Sequence, residues 1–184
     1  VGIDAQGVVT VATDMTDIGT GSYTVIAQTA AEMLGVDVDK IVVLLGDSTF
    51  PVSAGSGGQW GGNSATAGVY AACMKLREAV AQKLGFNAAD VRFEGGRVIA
   101  GNRRIDLAKA APIGVEDGIE FDPKLGQSQQ QSTFGAHFVE VGVDAYTGEI
   151  RVRRMSGTYA AGRILNPKTA RSQGIGAMTM GVGA

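Results

Sequence analysis

The segment that most constrains the fold of this chain is "AHFVEVGVDAYTGEIRVRRMSGTYA", residues 136–160. Apolar residues occupy alternate positions on both sides of "DAYTGE", a stretch rich in turn-forming residues. A period of two on either side of a turn predicts a β-hairpin. Shorter hairpins are predicted to turn at Gly95–Gly96 and at Gly101–Asn102. Because hairpins recur among helices, the sequence predicts an α+β fold with a two-layer arrangement of mixed sheet and helices, and argues against a doubly wound parallel sheet.

Three segments predict helices, and two more predict strands. The apolar spacing and the capping residues define the bounds of each helix. The first has Ser22 as N-cap and stops at Gly35, and the second runs from Asn63 or Ser64 to Leu84. The third has Asn166 as N-cap and continues from Pro167. "GVVTVATDM" alternates in the way of a half-buried strand. "KIVVLLGD" is a short continuous apolar run, which is typical of a strand buried on both faces.

The predicted organisation has three parts. Residues 1–111 form a first αβ lobe, residues 112–131 form a linker that ends in "GQSQQQS", and residues 132–184 form a hairpin with a final helix. The chain begins without Met and stops inside the apolar stretch "MTMGVGA", so we interpret it as a piece of a longer polypeptide. Apolar residues near that end, Met178, Met180 and Val182, are then expected to promote self-association.

Composition excludes several classes of function. The net charge is −2, which leaves no basic footprint for nucleic acid, and no apolar run is long enough to span a membrane. One cysteine, Cys73, and one histidine, His137, argue against a zinc site of nitrogen and sulfur ligands. Cys73 is predicted to be buried and inert, and His137 to be a half-buried sheet residue. Glu140 and Asp144 are interpreted as solvated or paired surface carboxylates.

Three small-residue loops each precede a predicted helix: "DIGTGS", "SAGSGGQWGGNS" and "GRILNPKTARSQG". A helix start offers unpaired N–H donors and a partial positive charge, and glycine lets a ligand approach the main chain closely. Arg163, Lys168 and Arg171 add positive charge to the third loop. If the loops converge, they can cradle a large anionic ligand. Two alternatives stay open: a scaffold whose glycines only shape turns, and a stand-alone nucleotide- or anion-binding module. The usual phosphate-loop spacings are absent.

A family resemblance covers nearly the whole chain. The segments "TDIGTGSYTVIAQTAAEMLGV", "GDSTFPVSAGSGGQWGGNSATAGVYAACMKLREA" and "STFGAHFVEVGVDAYTGEIRVRRM", followed by "AAGRILNPKTARSQGIGAMTMGVGA", resemble the molybdenum-cofactor-binding subunits of the xanthine dehydrogenase/aldehyde oxidase family. The likeness is greatest to the large subunits of bacterial periplasmic aldehyde oxidoreductases.

This resemblance implies a molybdenum hydroxylase that oxidises aldehydes or xanthine-like N-heterocycles with water as the oxygen source. Its molybdenum would be held by the dithiolene of molybdopterin, usually as the cytosine dinucleotide in bacteria, with no ligand from the protein. Iron–sulfur clusters and FAD would be carried by partner subunits. The protein would supply position and electrostatics while the cofactor supplies the chemistry.

The resemblance also assigns cofactor-binding positions. They are Gly19, Thr20 and Gly21 in the first loop; Ser56, Gly57, Gly58, Gln59, Gly61 and Gly62 in the second; and Lys168, Thr169, Ala170, Arg171, Ser172 and Gln173 in the third. Thr20 stands where the family usually has Gln, so backbone N–H groups are expected to make more of that contact. Gly174 stands where relatives often have a branched apolar residue.

The family's catalytic glutamate corresponds to a position beyond Ala184, and its substrate-binding phenylalanine motif and arginine correspond to positions before Val1. The isolated chain is therefore expected to be inactive. Its expected partners are the iron–sulfur and FAD subunits and the rest of its own subunit. The sequence identifies no substrate and leaves the compartment open between periplasm and cytoplasm.

Overall fold

The structure is a computed structural model that describes residues 1–57, 60–119, 124 and 132–184. It divides into two compact units, Val1–Glu120 and Phe121–Ala184. The first unit contains β1 (Gly2–Ile3), β2 (Val9–Thr13), α1 (Ser22–Leu34), β3 (Ile41–Leu45), α2 (Gly61–Lys83), β4 (Val91–Glu94), β5 (Arg97–Ala100), β6 (Arg103–Asp106) and β7 (Ile113–Gly114). The second unit contains β8 (Phe134–Val143), β9 (Ile150–Ala160) and α3 (Pro167–Gly183).

The first unit contains a four-stranded mixed sheet in the order β3-β2-β1-β7. β2 and β3 are parallel and are connected through α1, whereas β1 is antiparallel to both β2 and β7. A second sheet is the meander β4-β5-β6, which turns at the two predicted glycine positions. The α+β fold with mixed sheet and helices is thus confirmed.

The core of the first unit lies between α1, α2 and the strands. Val9 and Val11 of β2 are buried together with the apolar faces of both helices, as the alternation and the helical periodicity predict. On α2 the predicted inward residues are all buried: Val69, Ala72, Cys73, Leu76 and Val80. Each fully buried aliphatic side chain contributes about 1.5–3 kcal/mol.

Gly35 shows why the first helix ends where it does. Its φ of 61° is left-handed, and its N–H donates to the carbonyl oxygen of Ala31. A Cβ at this position would collide with the backbone of Phe93. The N–H of Gly96 also donates to the carbonyl oxygen of Gly35 at 2.7 Å, which joins the end of α1 to the meander. The predicted stop at Gly35 is confirmed.

Several local predictions were wrong. Ser22 is the buried first residue of α1, and Gly21 precedes it as the cap. The helix α2 begins at Gly61, two residues before the predicted start. Val42 and Leu44 are exposed, so one face of β3 is open to solvent instead of buried. Ile113–Gly114 forms β7 in the sheet instead of linker, and much of the remaining predicted linker lies outside the described residues.

The second unit is built on the predicted hairpin. β8 pairs antiparallel with β9, with a register shift between Glu140 and Val141. Asp144 begins the turn, and its Oδ1 accepts hydrogen bonds from the N–H groups of Tyr146 and Thr147 at 2.9 and 2.8 Å. Glu140 forms an exposed ion pair with Arg154 at 3.2 Å, in line with its interpretation as a paired surface carboxylate.

The helix α3 begins as predicted, with Pro167 in its first turn. The side chain of Asn166 accepts hydrogen bonds from the N–H groups of Lys168 and Thr169 at 3.0 and 3.3 Å, which makes it the N-cap. Near the other end of α3, Met180 and Val182 are exposed while Met178 is half-buried. Self-association of the chain stays a prediction.

Candidate functional site

The second glycine-rich loop is bonded to residues 14–16, which directly precede the first loop in the first unit. The N–H of Ser53 donates to Oδ1 of Asp14 at 2.7 Å, and the N–H of Asp14 donates to the carbonyl oxygen of Pro51 at 3.0 Å. Further along, the hydroxyl of Ser56 donates to the carbonyl oxygen of Thr16. The strand end at residues 13–16 therefore holds the second loop beside the first. The third loop lies in the second unit.

Asp17 organises the first loop, a role that the sequence analysis missed. Its Oδ1 accepts a hydrogen bond from the N–H of Gly19 at 2.7 Å, and its Oδ2 accepts one from the N–H of Tyr23 at 3.4 Å. Partial burial raises the pKa of this carboxyl, but hydrogen bonds from the N–H groups of Gly19, Tyr23, Ser22 and Thr20 outweigh burial and lower the pKa overall. A carboxylate of the chain itself thus faces the N-terminus of α1.

The predicted residues of the first loop are open to solvent but partly engaged. Gly19 and Gly21 have φ angles of 95° and 80°, which glycine adopts without strain. A Cβ at Gly19 would meet no atom within 4 Å, so its surface can be approached. The hydroxyl of Thr20 lies 3.2 Å from the hydroxyl of Ser22. Since the N–H groups of Gly19 and Thr20 interact with the Asp17 carboxylate, fewer backbone donors of this loop are free for the expected contact with a ligand.

Glycine occupies different positions of the second loop for different physical reasons. A Cβ at Gly57 would lie 2.8 Å from the ring of Trp60, and one at Gly61 would lie 3.2 Å from the terminal methyl of Met15. Intramolecular packing therefore accounts for both. A Cβ at Gly62 would meet nothing within 4 Å, and its φ is not positive. Neither strain nor packing explains glycine there. Gly58 and Gln59 lie outside the described residues.

Trp60 fixes the second loop in place. Its Nε1–H donates to the carbonyl oxygen of Ala54 at 3.3 Å, and its backbone N–H donates to the carbonyl oxygen of Gly57 at 3.3 Å. The ring thus spans the loop that precedes α2. This supports the interpretation of the segment as built structure instead of a linker.

The start of α3 is strongly electropositive. Its first turn contains no acidic residue, whereas Lys168 and Arg171 are both exposed near this end. Cations near a helix N-terminus oppose the helix dipole and cost about 0.3–1 kcal/mol each. An anion placed there would meet both the dipole and the two side-chain charges, so this end of α3 is suited to phosphate.

The residues predicted on α3 differ in their exposure. Thr169 and Ala170 are half-buried, and so are Gly174 and Met178 further along the helix. The spacing of Ala170, Gly174 and Met178 is four residues, which places them on one side of the helix. Lys168, Arg171, Ser172 and Gln173 are exposed. The exposed set is therefore available to a ligand, and the half-buried pair is less accessible.

The other titratable candidates lie outside these loops. His137 is exposed, so the prediction of a half-buried residue was wrong; it lies on β8, whose residues are nearly all exposed. Cys73 is buried as predicted, and burial raises the pKa of its thiol to about 11. Among the described residues, no three His, Cys, Asp or Glu side chains are grouped to hold a metal ion. No helix in the same residues has the length and apolarity to cross a membrane.

Comparison with known proteins gives concordant results. The molybdopterin cofactor-binding domain family matches residues 1–184. The chain is 62% identical over 185 residues to the aldehyde oxidoreductase molybdenum-binding subunit PaoC of Escherichia coli K12, covering 99% of this chain and 25% of that protein. It is 30% identical over 200 residues to the nicotine 6-hydroxylase large subunit of Paenarthrobacter nicotinovorans, covering 98% of this chain and 24% of that protein.

Solved structures agree with these relatives. The crystal structure of quinoline 2-oxidoreductase from Pseudomonas putida 86 superimposes with a TM-score of 0.79 at 25% identity, covering 94% of this chain and 24% of that one. The chain spans about a quarter of the length of the relatives that it matches.

Proposed function

The chain belongs to the molybdopterin cofactor-binding domain family, and on this premise we propose that it is part of a molybdenum hydroxylase that oxidises aldehydes or N-heterocycles. The identity of 62% to an aldehyde oxidoreductase subunit favours aldehydes as substrates. Relatives named as subunits suggest that the whole enzyme is an assembly, with iron–sulfur clusters and FAD on partner subunits. The cofactor is proposed to be the cytosine dinucleotide form of molybdopterin.

The observation that carries the proposal is the exposed face at the start of α3. Lys168 and Arg171 bring two positive charges to the positive end of a helix of 17 residues. The phosphates of a dinucleotide cofactor supply the negative charge that this end lacks. Gln173 is also exposed, two residues after Arg171 and therefore on another side of the helix, and its amide can both donate and accept hydrogen bonds.

The loops of the first unit fit a cofactor in a different way. Gly19 and Gly62 present main chain next to open space, which allows a flat ring system to approach closely. Asp17 already occupies the donors at the start of α1, so a phosphate is disfavoured there. We assign the first unit to the uncharged or hydrogen-donating parts of the cofactor and α3 to its phosphates.

The bound cofactor would supply the oxidation chemistry, with water as the source of the oxygen atom. The residues of this chain would bind and orient the cofactor, and exclude water through the loop that Trp60 fixes. None of the described carboxylates lies on these loops in an arrangement suited to a catalytic base, since Asp17 is committed to backbone N–H groups. We propose that the catalytic glutamate lies in another part of the enzyme and that the chain alone is inactive.

The proposal is tested on the full-length protein in its assembled complex. We expect molybdenum by elemental analysis and an equimolar cytosine nucleotide after acid release. Gln173→Ala should lower the bound molybdenum. The matched control is Gln82→Ala, the same change at an exposed position near the end of α2. Protein without molybdenum would overturn the function. Equal molybdenum content in both variants would mean that Gln173 does not bind the cofactor. A nucleotide base other than cytosine would change only the proposed form of the cofactor.

A further inference from the structure

Tyr159 lies on a face of the β8–β9 hairpin that two glycines leave bare. Tyr159 and Gly157 are two residues apart on β9, and Gly135 is the partner of Tyr159 on β8. Alternate residues of a strand share one face. A Cβ at Gly157 would lie 2.6 Å from the hydroxyl oxygen of Tyr159, and one at Gly135 would lie 3.2 Å from its ring. The ring therefore rests directly on the backbone of the hairpin.

The hydroxyl of Tyr159 is held by the neighbouring strand. It lies 3.1 Å from Nε2 of His137, which is the partner of Gly157 across the hairpin. The two rings also meet edge to face, with centroids 5.2 Å apart and an angle of 66° between their planes. The ring of Tyr159 is thus fixed by the hairpin backbone on one side and by His137 at its end.

The same ring also meets α3 at Gly174. A Cβ at Gly174 would lie 3.2 Å from Cε2 of Tyr159, closer than side chains normally approach each other. Although Tyr159 is 47% exposed, its contacts with the hairpin backbone and with His137 restrict the directions in which the ring can move away. Glycine at position 174 lets the helix backbone settle against the ring. This accounts for a glycine in the interior of a helix, where it otherwise weakens the structure.

We propose that Tyr159 is a positioning residue that, through Gly174, sets the place of α3 and so of Gln173 and Arg171. The inference rests on the proposed function, since it concerns how those two residues are presented to the cofactor. Gln173 precedes Gly174 directly, so a shift of the helix at Gly174 moves its side chain as well. Contacts of this kind orient binding groups without touching the ligand.

The decisive variant is Gly174→Ala in the full-length, assembled enzyme. Its control is Gly176→Ala, because a Cβ at Gly176 on the same helix meets nothing within 4 Å. Both changes raise helix propensity equally, so only contact with Tyr159 separates them. We expect Gly174→Ala to retain about tenfold less molybdenum after dialysis, which is the lower end of the effect of supporting residues around metal sites. Gly176→Ala should match the unmodified enzyme.

A rescue distinguishes positioning from direct contact with the cofactor. Tyr159→Leu alone should also lower molybdenum retention, because it removes the ring against which α3 rests. The double variant Gly174→Ala/Tyr159→Leu removes the ring atoms that the new methyl would meet, so it should retain more molybdenum than Gly174→Ala. In the molybdenum-loaded fraction, Gly174→Ala should lower kcat more than it changes KM for the aldehyde. Absence of rescue would overturn the inference, and so would equal retention in the two alanine variants.

Two further results separate this inference from the proposed function. If the unmodified enzyme contains no molybdenum, the function fails and the inference fails with it. If Gln173→Ala loses molybdenum while Gly174→Ala does not, only the inference fails. If Gly174→Ala does not assemble, Tyr159→Phe is the deciding variant. It loses the hydrogen bond to His137 and should retain less molybdenum than the unmodified enzyme, by a smaller factor than expected for Gly174→Ala. Full retention in Tyr159→Phe would overturn the inference.

Discussion

Asp17 accepts a hydrogen bond from the N–H of Gly19 over 2.7 Å, and this pair holds the first glycine-rich loop in its left-handed conformation. The second oxygen of the carboxylate lies 3.4 Å from the N–H of Tyr23. The chain thus supplies its own anion at the start of α1. The start of α3 differs, because its cap is the neutral Asn166 and its nearby side chains are cationic.

Asp17→Ala is expected to loosen the first loop and to lower bound molybdenum in the assembled enzyme. The change leaves the N–H groups of Gly19 and Tyr23 without their acceptor, so amide hydrogen exchange at both should accelerate. Asp144→Ala is the control, because Asp144 also accepts two backbone N–H groups but lies at the hairpin turn. Asp144→Ala should accelerate amide hydrogen exchange at Tyr146 and Thr147 and leave the bound molybdenum unchanged. Equal molybdenum in both variants would contradict the role of Asp17.

Gly62→Ala and Gly57→Ala separate a ligand requirement from a packing requirement. At Gly62 the added methyl meets nothing within 4 Å, and helix propensity favours alanine by up to about 1 kcal/mol, so the apo protein should be unchanged or more stable. If the cofactor approaches the main chain here, as we propose, the methyl would occupy that space and molybdenum retention should fall.

At Gly57 the methyl would lie 2.8 Å from the ring of Trp60, so stability should fall together with retention. Thermal unfolding of apo protein and elemental analysis of holoenzyme measure the two effects. If Gly62→Ala keeps all its molybdenum, Gly62 serves the fold alone and the scaffold alternative gains support at this loop.

Gly35→Ala should destabilise the first unit more than Gly85→Ala. Both glycines end helices with positive φ, 61° and 74°, so both changes carry a left-handed penalty of about 1–2 kcal/mol. Only at Gly35 does the new methyl also collide with the backbone of Phe93, since a Cβ at Gly85 meets nothing. Urea unfolding of the two variants gives the difference. Equal losses would show that the meander can move away from α1.

Local signals predicted the elements whose causes are local. The hairpin turn at Asp144, the cap at Asn166 and the stop at Gly35 each depend on residues within one turn, and all three are observed. Cys73 was correctly placed in the core, because helical periodicity determines which face of α2 is apolar.

Features that depend on distant residues could not be predicted in this way. β1 and β7 have two residues each, too few to show a period. The apolar run of β3 predicts burial on both faces, but it does not reveal whether another layer covers the second face, where Val42 and Leu44 are exposed. Gly174 could not be explained from the sequence, because its cause is Tyr159 on another element.

The candidate site was predictable to the same degree. The sequence indicated which loops precede helices, and the structure shows Ser53 and Ser56 of the second loop bonded to Asp14 and Thr16, just before the first loop. The sequence did not indicate that Asp17 accepts hydrogen bonds from backbone N–H groups of the first loop, because those bonds depend on where the loop folds back. The cofactor-binding roles of the predicted residues stay predictions.

The Cys73 thiol should resist alkylation in the folded protein. It has no exposed surface, and burial raises its pKa to about 11, so little thiolate is available at pH 8. Peptide-resolved mass spectrometry after iodoacetamide treatment should find the Cys73 peptide unlabelled until urea unfolds the first unit. Fast labelling without denaturant would show that α2 opens locally from the core.

The same thiol makes stability depend on pH in the alkaline range. Its pKa is 9.0 as an ordinary side chain and about 11 in the fold, so the folded state holds the proton more tightly. The associated stabilisation is complete below pH 9 and is lost as the pH rises towards 11, by about 2–3 kcal/mol in all. Urea unfolding at intervals across this range should therefore show a steeper decline than in Cys73→Ala. The free energy of unfolding of Cys73→Ala should be lower at neutral pH and should fall less steeply with pH, because the cavity left by the thiol destabilises the fold equally at every pH. Parallel profiles for the two proteins would mean that the thiol does not titrate differently in the folded and unfolded states.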